Sequence, residues 1–199
     1  MNSFLETICI LDGIPRNVSW HQQRIANTFR YCMPHADPFQ LETKLTLFDL
    51  PREGKIKCSI QYFTEITDVT FSVYAPKLVT SLKLIEVPRG FEYRFKLTDR
   101  HSIDTLFSKK GNADDILMTR NGWILDTSIA NIAFRKKDRW YTPANPLLAG
   151  TTWKRLMEEG ILIPRPIHQS DIPGFDAFKI FNAMNDWREA EEGSIDGIS

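Results

Sequence analysis

Three segments decide the reading of this chain: FKLTDR at Phe95–Arg100, DDILMTRNGWILDTSIANIAF at Asp114–Phe134, and YTPANPLLAGTTWKRL at Tyr141–Leu156. In the first, a single lysine, Lys96, follows a strand-rich half. In the second, Asn121-Gly122 is a hairpin signal, because both residues tolerate the left-handed backbone of a two-residue turn. Its strands are the apolar runs Ile116–Met118 and Trp123–Leu125. Asp126 closes the second of these, and Asn131 opens the next run, Asn131–Phe134. In the third segment, Trp140–Tyr141 is a further short strand. Gly150-Thr151-Thr152 then opens a helix over Thr151–Glu159 that Gly160 stops.

Toward the N-terminus, Phe4–Leu11 reads as a strand that Glu6 interrupts, and Asp12-Gly13 with Pro15 marks a turn. Ser19 is the expected N-cap of a helix in which Trp20, Ile25 and Phe29 recur with helical spacing and His21 and Arg24 share a face. A second helix is expected from Asp37-Pro38 to Pro51, with Leu41, Leu45 and Phe48 as its stripe. Lys55–Phe63, Val69–Tyr74 and Leu82–Val87 alternate apolar and polar residues, as in an antiparallel meander with one covered face. Pro88-Arg89-Gly90 is the expected junction. It divides the chain into a small α+β domain, residues 1–87, and a C-terminal domain, residues 88–199, that carries Lys96. Beyond the third segment, Ile161–Ile167 is extended, a short helix follows Ser170-Asp171, and Ala177–Phe181 is a last strand running into Asn182. The acidic tail after Trp187 is expected to be loosely held. The fold class is mixed α/β.

Composition excludes several functions. With 25 basic and 25 acidic residues in 199, the net charge is zero and no basic stripe exists for nucleic acid. The three cysteines are odd in number, scattered, and without a C-x-x-C pair, as in a reduced cytoplasmic protein. The first residues show no signal peptide, and no apolar run is long enough for a membrane span. The four histidines match no metal spacing, so no metal is expected.

The residues with chemistry to offer each have an ordinary alternative. Lys96 is an exposed strand-end lysine or an imine-forming amine, whose pKa desolvation and Arg100 would lower. Asp126 is a turn residue or the partner of a ring-nitrogen cation. Thr151 and Thr152 are helix caps or, with the free N–H groups of a helix start, a phosphate site. Arg24 is a surface arginine or a second phosphate ligand, and Asn182 a turn residue or a phosphate donor. Lysine, carboxylate and anion-binding helix start are together the requirements of pyridoxal phosphate.

Order and context also carry a resemblance. FLETICILDGIP…HQQRI resembles the opening of the fold-type IV pyridoxal-phosphate enzymes, the class IV aminotransferases and 4-amino-4-deoxychorismate lyases, which implies that Arg24 binds the phosphate. KLTDR is similar to the K-x-x-N-R of the lyase-like members, making Lys96 the Schiff-base residue, with Arg100 beside the cofactor. NADDILMTRNGWILDTSIANIAF resembles the family segment that places Asp126 at the pyridine nitrogen and Asn131 at the motif asparagine. YTPANPLLAGTTWKRLMEEG resembles the family's phosphate loop, implying Thr151 and Thr152 as ligands, and FKIFNAM implies Asn182. Three departures stand out: aspartate for the usual glutamate at Asp126, Asp99 for the asparagine after the lysine, and a start without the family's usual first strand.

The resemblance implies a two-domain D-amino-acid aminotransferase-like fold with the cofactor between the domains. It also implies a homodimer acting on a small amino-acid-like substrate. The K-x-x-[ND]-R motif points first to 4-amino-4-deoxychorismate lyase, which releases pyruvate. The alternatives are a class IV amino-acid aminotransferase and a non-catalytic member that only binds cofactor or metabolite.

Overall fold

The strand at the N-terminus sets the pattern for the first half of the chain. In this computed structural model, which describes residues 3–199, β1 (Phe4–Leu11) turns Phe4, Glu6, Ile8 and Ile10 inward, and all four are buried. Its neighbours are β2 (Ile14–Pro15) and β3 (Lys55–Tyr62). β3 pairs antiparallel with β4 (Ile66–Val73), giving the order β2-β1-β3-β4. β3 buries Ile56, Cys58, Ile60 and Tyr62 on strict alternation, as a half-covered sheet requires.

The cover is α1 (Val18–Cys32), which sets Ile25 and Phe29 on these residues. It begins one residue before the expected cap Ser19. Asn17, in the left-handed conformation at φ 56°, turns the chain into the helix without a side-chain cap. α2 is only Leu41–Leu45, shorter than its apolar stripe suggested. Its first backbone N–H is held by the Gln22 side chain at 2.7 Å, and Phe48 lies beyond its end.

Contacts divide the chain into two compact units, and the division falls elsewhere than the expected break at Pro88. One unit runs through Pro76 and takes back Phe95–Asp99; the other comprises Lys77–Arg94 and Arg100–Ser199. The returning segment lies along β1, with Leu5 N donating to Lys96 O at 2.9 Å and Thr98 N to Ser3 O at 3.0 Å. The lysine expected in the C-terminal part is therefore a residue of the first unit. The third meander strand moves the other way. β5 (Leu82–Glu86) pairs parallel with β6 (Asp115–Arg120) in the second unit, across a crossover that contains α3 (His101–Phe107). Alternation specifies a strand and a buried face, but not the partner of that strand.

In the second unit, β6 and β7 (Trp123–Thr127) form the hairpin expected at Asn121-Gly122, with φ of 51° and 77° at the two turn residues. β8 (Asn131–Lys136) and β9 (Arg139–Pro143) are antiparallel. β10 (Leu162–Arg165) joins β9 in parallel, and β11 (Ala177–Phe181) joins β8, in the order β10-β9-β8-β11. α4 (Thr151–Glu158) leads from β9 to β10. A 3-10 turn over Gln169–Gly174 replaces the short helix expected after Ser170-Asp171. The core carries Leu117, Ile132, Phe134 and Phe178.

The tail is docked rather than loose. Gly193 exchanges backbone hydrogen bonds with Phe178 at 2.9 and 2.8 Å. Ser199 bonds along β5, its N–H donating to Leu82 O at 3.0 Å and its O accepting from Leu84 N at 2.7 Å. These bonds satisfy the outer edge of β5 and, with Ile195 and Ile198 packed on the core, hold a segment whose acidic composition suggested a loose tail.

Candidate active site

In the first unit, Glu6 is the centre of a buried polar group. Its Oε1 accepts from Arg24 Nε at 2.8 Å. Its Oε2 accepts from Arg24 Nη2 at 2.6 Å and from His21 Nδ1 at 2.5 Å. Burial alone would raise the Glu6 pKa, but the Arg24 guanidinium and the hydrogen bonds from His21 and Arg24 outweigh it and hold the carboxyl at about 2. Burial lowers the His21 pKa against the pull of Glu6, so this contact is a neutral imidazole N–H donating to a carboxylate. Glu6 is thus no interruption of β1 but the inward-facing acceptor that orients Arg24. Glu6→Ala would leave the guanidinium buried without this carboxylate. We expect that change to cost about 3–5 kcal/mol of unfolding free energy in a denaturant titration, as breaking a buried ion pair does. A cost below 1 kcal/mol would show that the pair is not a core element.

Lys96 sits on the other face of the same strand. Phe95 and Leu97 pack into the first unit's core, and alternation turns Lys96 away from it. Its Nζ donates to Thr7 Oγ1 at 2.8 Å. Thr7 was missed in the sequence, where it is one polar residue in an apolar strand. Only the register of the Phe95–Asp99 segment against β1 reveals it.

The second unit gathers Asp126, Asn131 and the loop before α4. Asp126 is 5% exposed. Its Oδ1 accepts from Asn131 Nδ2 at 2.8 Å, and its Oδ2 from the Leu148 backbone N–H at 2.9 Å. Asn131 Nδ2 also donates to Leu148 O at 2.9 Å. Burial pushes the Asp126 carboxyl up to about 7, while the hydrogen bonds from Leu148, Asn131 and Leu147 pull it down. Three donors on about four lone-pair sites leave the carboxylate room for one further donor. Two residues after Leu148, Gly150 is the N-cap of α4, and Thr151 and Thr152 are buried in its first turn. Thr152 Oγ1 is buried without a hydrogen-bond partner.

Arg100 and Asn182, expected as ligands, have these partners within the chain. Arg100 Nη2 donates to Ser128 O at 2.9 Å, and its Nε lies 3.6 Å from Asp104 Oδ1, one helical turn on. Asn182 closes the turn after β11. Its Oδ1 accepts from Met184 N at 2.8 Å and Asn185 N at 2.9 Å, and its Nδ2 donates to Ile129 O at 3.2 Å. Asn131, expected at the cofactor site, has its amide engaged with Asp126 and Leu148. Among the described residues no group of three or more His, Cys, Asp or Glu is placed to hold a metal ion, and no helix is long and apolar enough to cross a membrane.

A family model described as amino-transferase class IV matches residues 3–192. The chain belongs to that family. Class IV aminotransferases are pyridoxal-phosphate-dependent enzymes, and their fold is the mixed α/β arrangement described above. An uncharacterized protein of Haemophilus influenzae is 36% identical over 187 residues, 93% of this chain and 99% of that one. The crystal structure of a candidate 4-amino-4-deoxychorismate lyase of Haemophilus somnus superposes with a TM-score of 0.85 at 32% identity, over 94% of this chain and 98% of that one. A fold IV transaminase of Curtobacterium pusillum superposes with a TM-score of 0.75 at 16% identity, over 96% of this chain and 78% of that one, which shows the common fold.

Proposed function

We propose that this class IV enzyme is a 4-amino-4-deoxychorismate lyase, cleaving an amino-acid-like substrate with release of pyruvate. The similarity to the Haemophilus somnus candidate lyase, 32% identical over 94% of the chain, carries this reading. The Lys96-to-Arg100 motif agrees with it.

The chain's own groups suit pyridoxal phosphate. Thr152 Oγ1, buried without a partner in the first turn of α4, is a donor suited to a phosphate oxygen, as are the free N–H groups of that turn. The buried Asp126 carboxylate, with acceptor capacity for one more donor, suits a protonated ring nitrogen. The cofactor supplies a sink for the electron pair released at the substrate's Cα. Lys96 would hold it covalently and, when free, would be the base that takes the Cα proton and the acid that delivers it to the departing enolpyruvyl group, which leaves as pyruvate. Thr7 gives the Lys96 amine a fixed acceptor at 2.8 Å. Arg24, oriented by Glu6, would supply positive charge to the phosphate, and Thr151 would offer only a neutral hydroxyl donor.

The family's habit supports a homodimer, and Cys9, Cys32 and Cys58, none of them in a disulfide, fit a reducing cytoplasm. Product analysis tests the reading. Purified enzyme loaded with cofactor is expected to form pyruvate from 4-amino-4-deoxychorismate with no keto acid added. A strict requirement for an α-keto acid acceptor would make it an aminotransferase, the activity from which the family takes its name. Loaded protein that turns over no amine at all would overturn both.

A further inference from the structure

Asn131 occupies an unusual place in the second unit. Its Nδ2 carries two bonds, to Asp126 Oδ1 at 2.8 Å and to Leu148 O at 2.9 Å, while Leu148 N returns a third bond to Asp126 Oδ2 at 2.9 Å. Side chain, carboxylate and loop backbone form a closed ring. Its other amide atom, Oδ1, lies where Gly150 has no side chain: a Cβ on Gly150 would meet it at 2.3 Å. No left-handed backbone explains that glycine, since Gly150 has φ −63°, an angle open to any residue. The absent Cβ makes room for Asn131. The next two residues are Thr151 and Thr152, in the first turn of α4.

We propose that Asn131 is a positioning residue that locks the Asp126 carboxylate to the Leu148–Thr152 loop, so that the ring-nitrogen partner and the phosphate-binding turn are seated as one piece, with Gly150 as the space this lock needs. The inference rests on the cofactor roles proposed for Asp126 and Thr152. In this role Asn131 acts through Asp126 and Leu148. Its amide fixes the direction of one carboxylate oxygen and, through Leu148, the height of the loop that presents the other donor. Both oxygens of Asp126 are satisfied by donors on a common scaffold, so a shift of the loop moves the carboxylate with it.

The experiment is a set of double-mutant cycles read by the dissociation constant of pyridoxal phosphate, measured by the fluorescence or absorbance of full-length protein without substrate. Asn131→Ala is expected to weaken binding roughly 10- to 100-fold, the scale of a lost hydrogen bond to a charged group. Gly150→Ala should weaken it on the same scale, because its Cβ displaces the amide. Asn131→Ala combined with Gly150→Ala should be no weaker than Asn131→Ala alone, since the Cβ then enters vacated space. Asn131→Ala combined with Asp126→Ala should likewise match Asp126→Ala alone.

The pH midpoint of the bound cofactor's visible spectrum is a readout that general loosening of the fold would leave in place. It should move in Asn131→Ala and in Gly150→Ala, because both release the carboxylate paired with the ring. Additive losses, or an unmoved midpoint, would overturn the lock. If Asn131→Ala does not fold, Gly150→Ala decides alone, with wild-type affinity and midpoint refuting the inference. If Asp126→Ala binds pyridoxal phosphate as wild type does, the assignment of Asp126 to the ring fails instead, and the two failures are distinguishable.

Discussion

Lys96→Ala protein, incubated with pyridoxal phosphate and dialysed, is expected to emerge colourless and inactive while folding as well as the wild type. The structural reason lies in how the lysine is presented. The Phe95–Asp99 segment is fixed to β1 by backbone bonds from Leu5 N and Thr98 N, and anchored by Phe95 and Leu97 in the first unit's core. None of these interactions uses the Lys96 side chain, which is half-buried on the opposite face and donates to Thr7. Truncation should therefore change unfolding free energy by no more than about 1 kcal/mol. The catalytic loss should be at least the roughly 10²–10⁴-fold of a missing general base, and larger because the covalent attachment goes with it. Borohydride treatment of the loaded wild type, followed by peptide mass analysis, should place the cofactor's mass on the peptide containing Lys96. Finding that mass on another lysine, or full colour in Lys96→Ala, would refute the assignment.

Much of this arrangement is legible in the sequence, and the exceptions have physical causes. β1 and β3 are readable because a two-residue period over eight positions leaves little choice of state. The β6–β7 hairpin is readable because Asn121-Gly122 names its turn. The partner of β5 is not readable, since parallel pairing through a crossover depends on distant chain. The same holds for the tail, which backbone bonds to β5 and Phe178, with Ile195 and Ile198 packed on the core, hold through contacts far off in the chain. In the site, residue order marks Lys96, Asp126 and the Thr151-Thr152 turn. What no spacing shows is which polar groups answer one another: Glu6 facing Arg24, Thr7 under Lys96, Asn131 turned to Asp126. These pairs are 18, 89 and 5 residues apart in the chain, and register or loop height sets them rather than local sequence.

Asp126→Ala is expected to cost as much in catalysis as it changes in pH dependence, and the second effect has an unusual sign. In cofactor-free protein, burial lifts the carboxyl from 3.8 to about 7. The native state then binds a proton more tightly than the unfolded chain across that interval. Stability from this group is therefore complete below about pH 4 and declines as pH rises through 7, opposite to an aspartate held down by an ion pair. At 1.36 kcal/mol per pKa unit, the wild type should lose on the order of 4 kcal/mol relative to Asp126→Ala between pH 4 and pH 8. Denaturant unfolding of both proteins without cofactor measures the difference directly, and parallel pH curves would show that the carboxyl titrates normally. Pyridoxal phosphate should stabilise the wild type by most at the alkaline end, where a buried carboxylate gains a cationic ring nitrogen as partner. The variant lacks that partner, so its stabilisation by cofactor should not grow with pH, and its turnover should fall roughly 10²- to 10⁴-fold, the scale of losing one preorganised electrostatic partner or proton-transfer group.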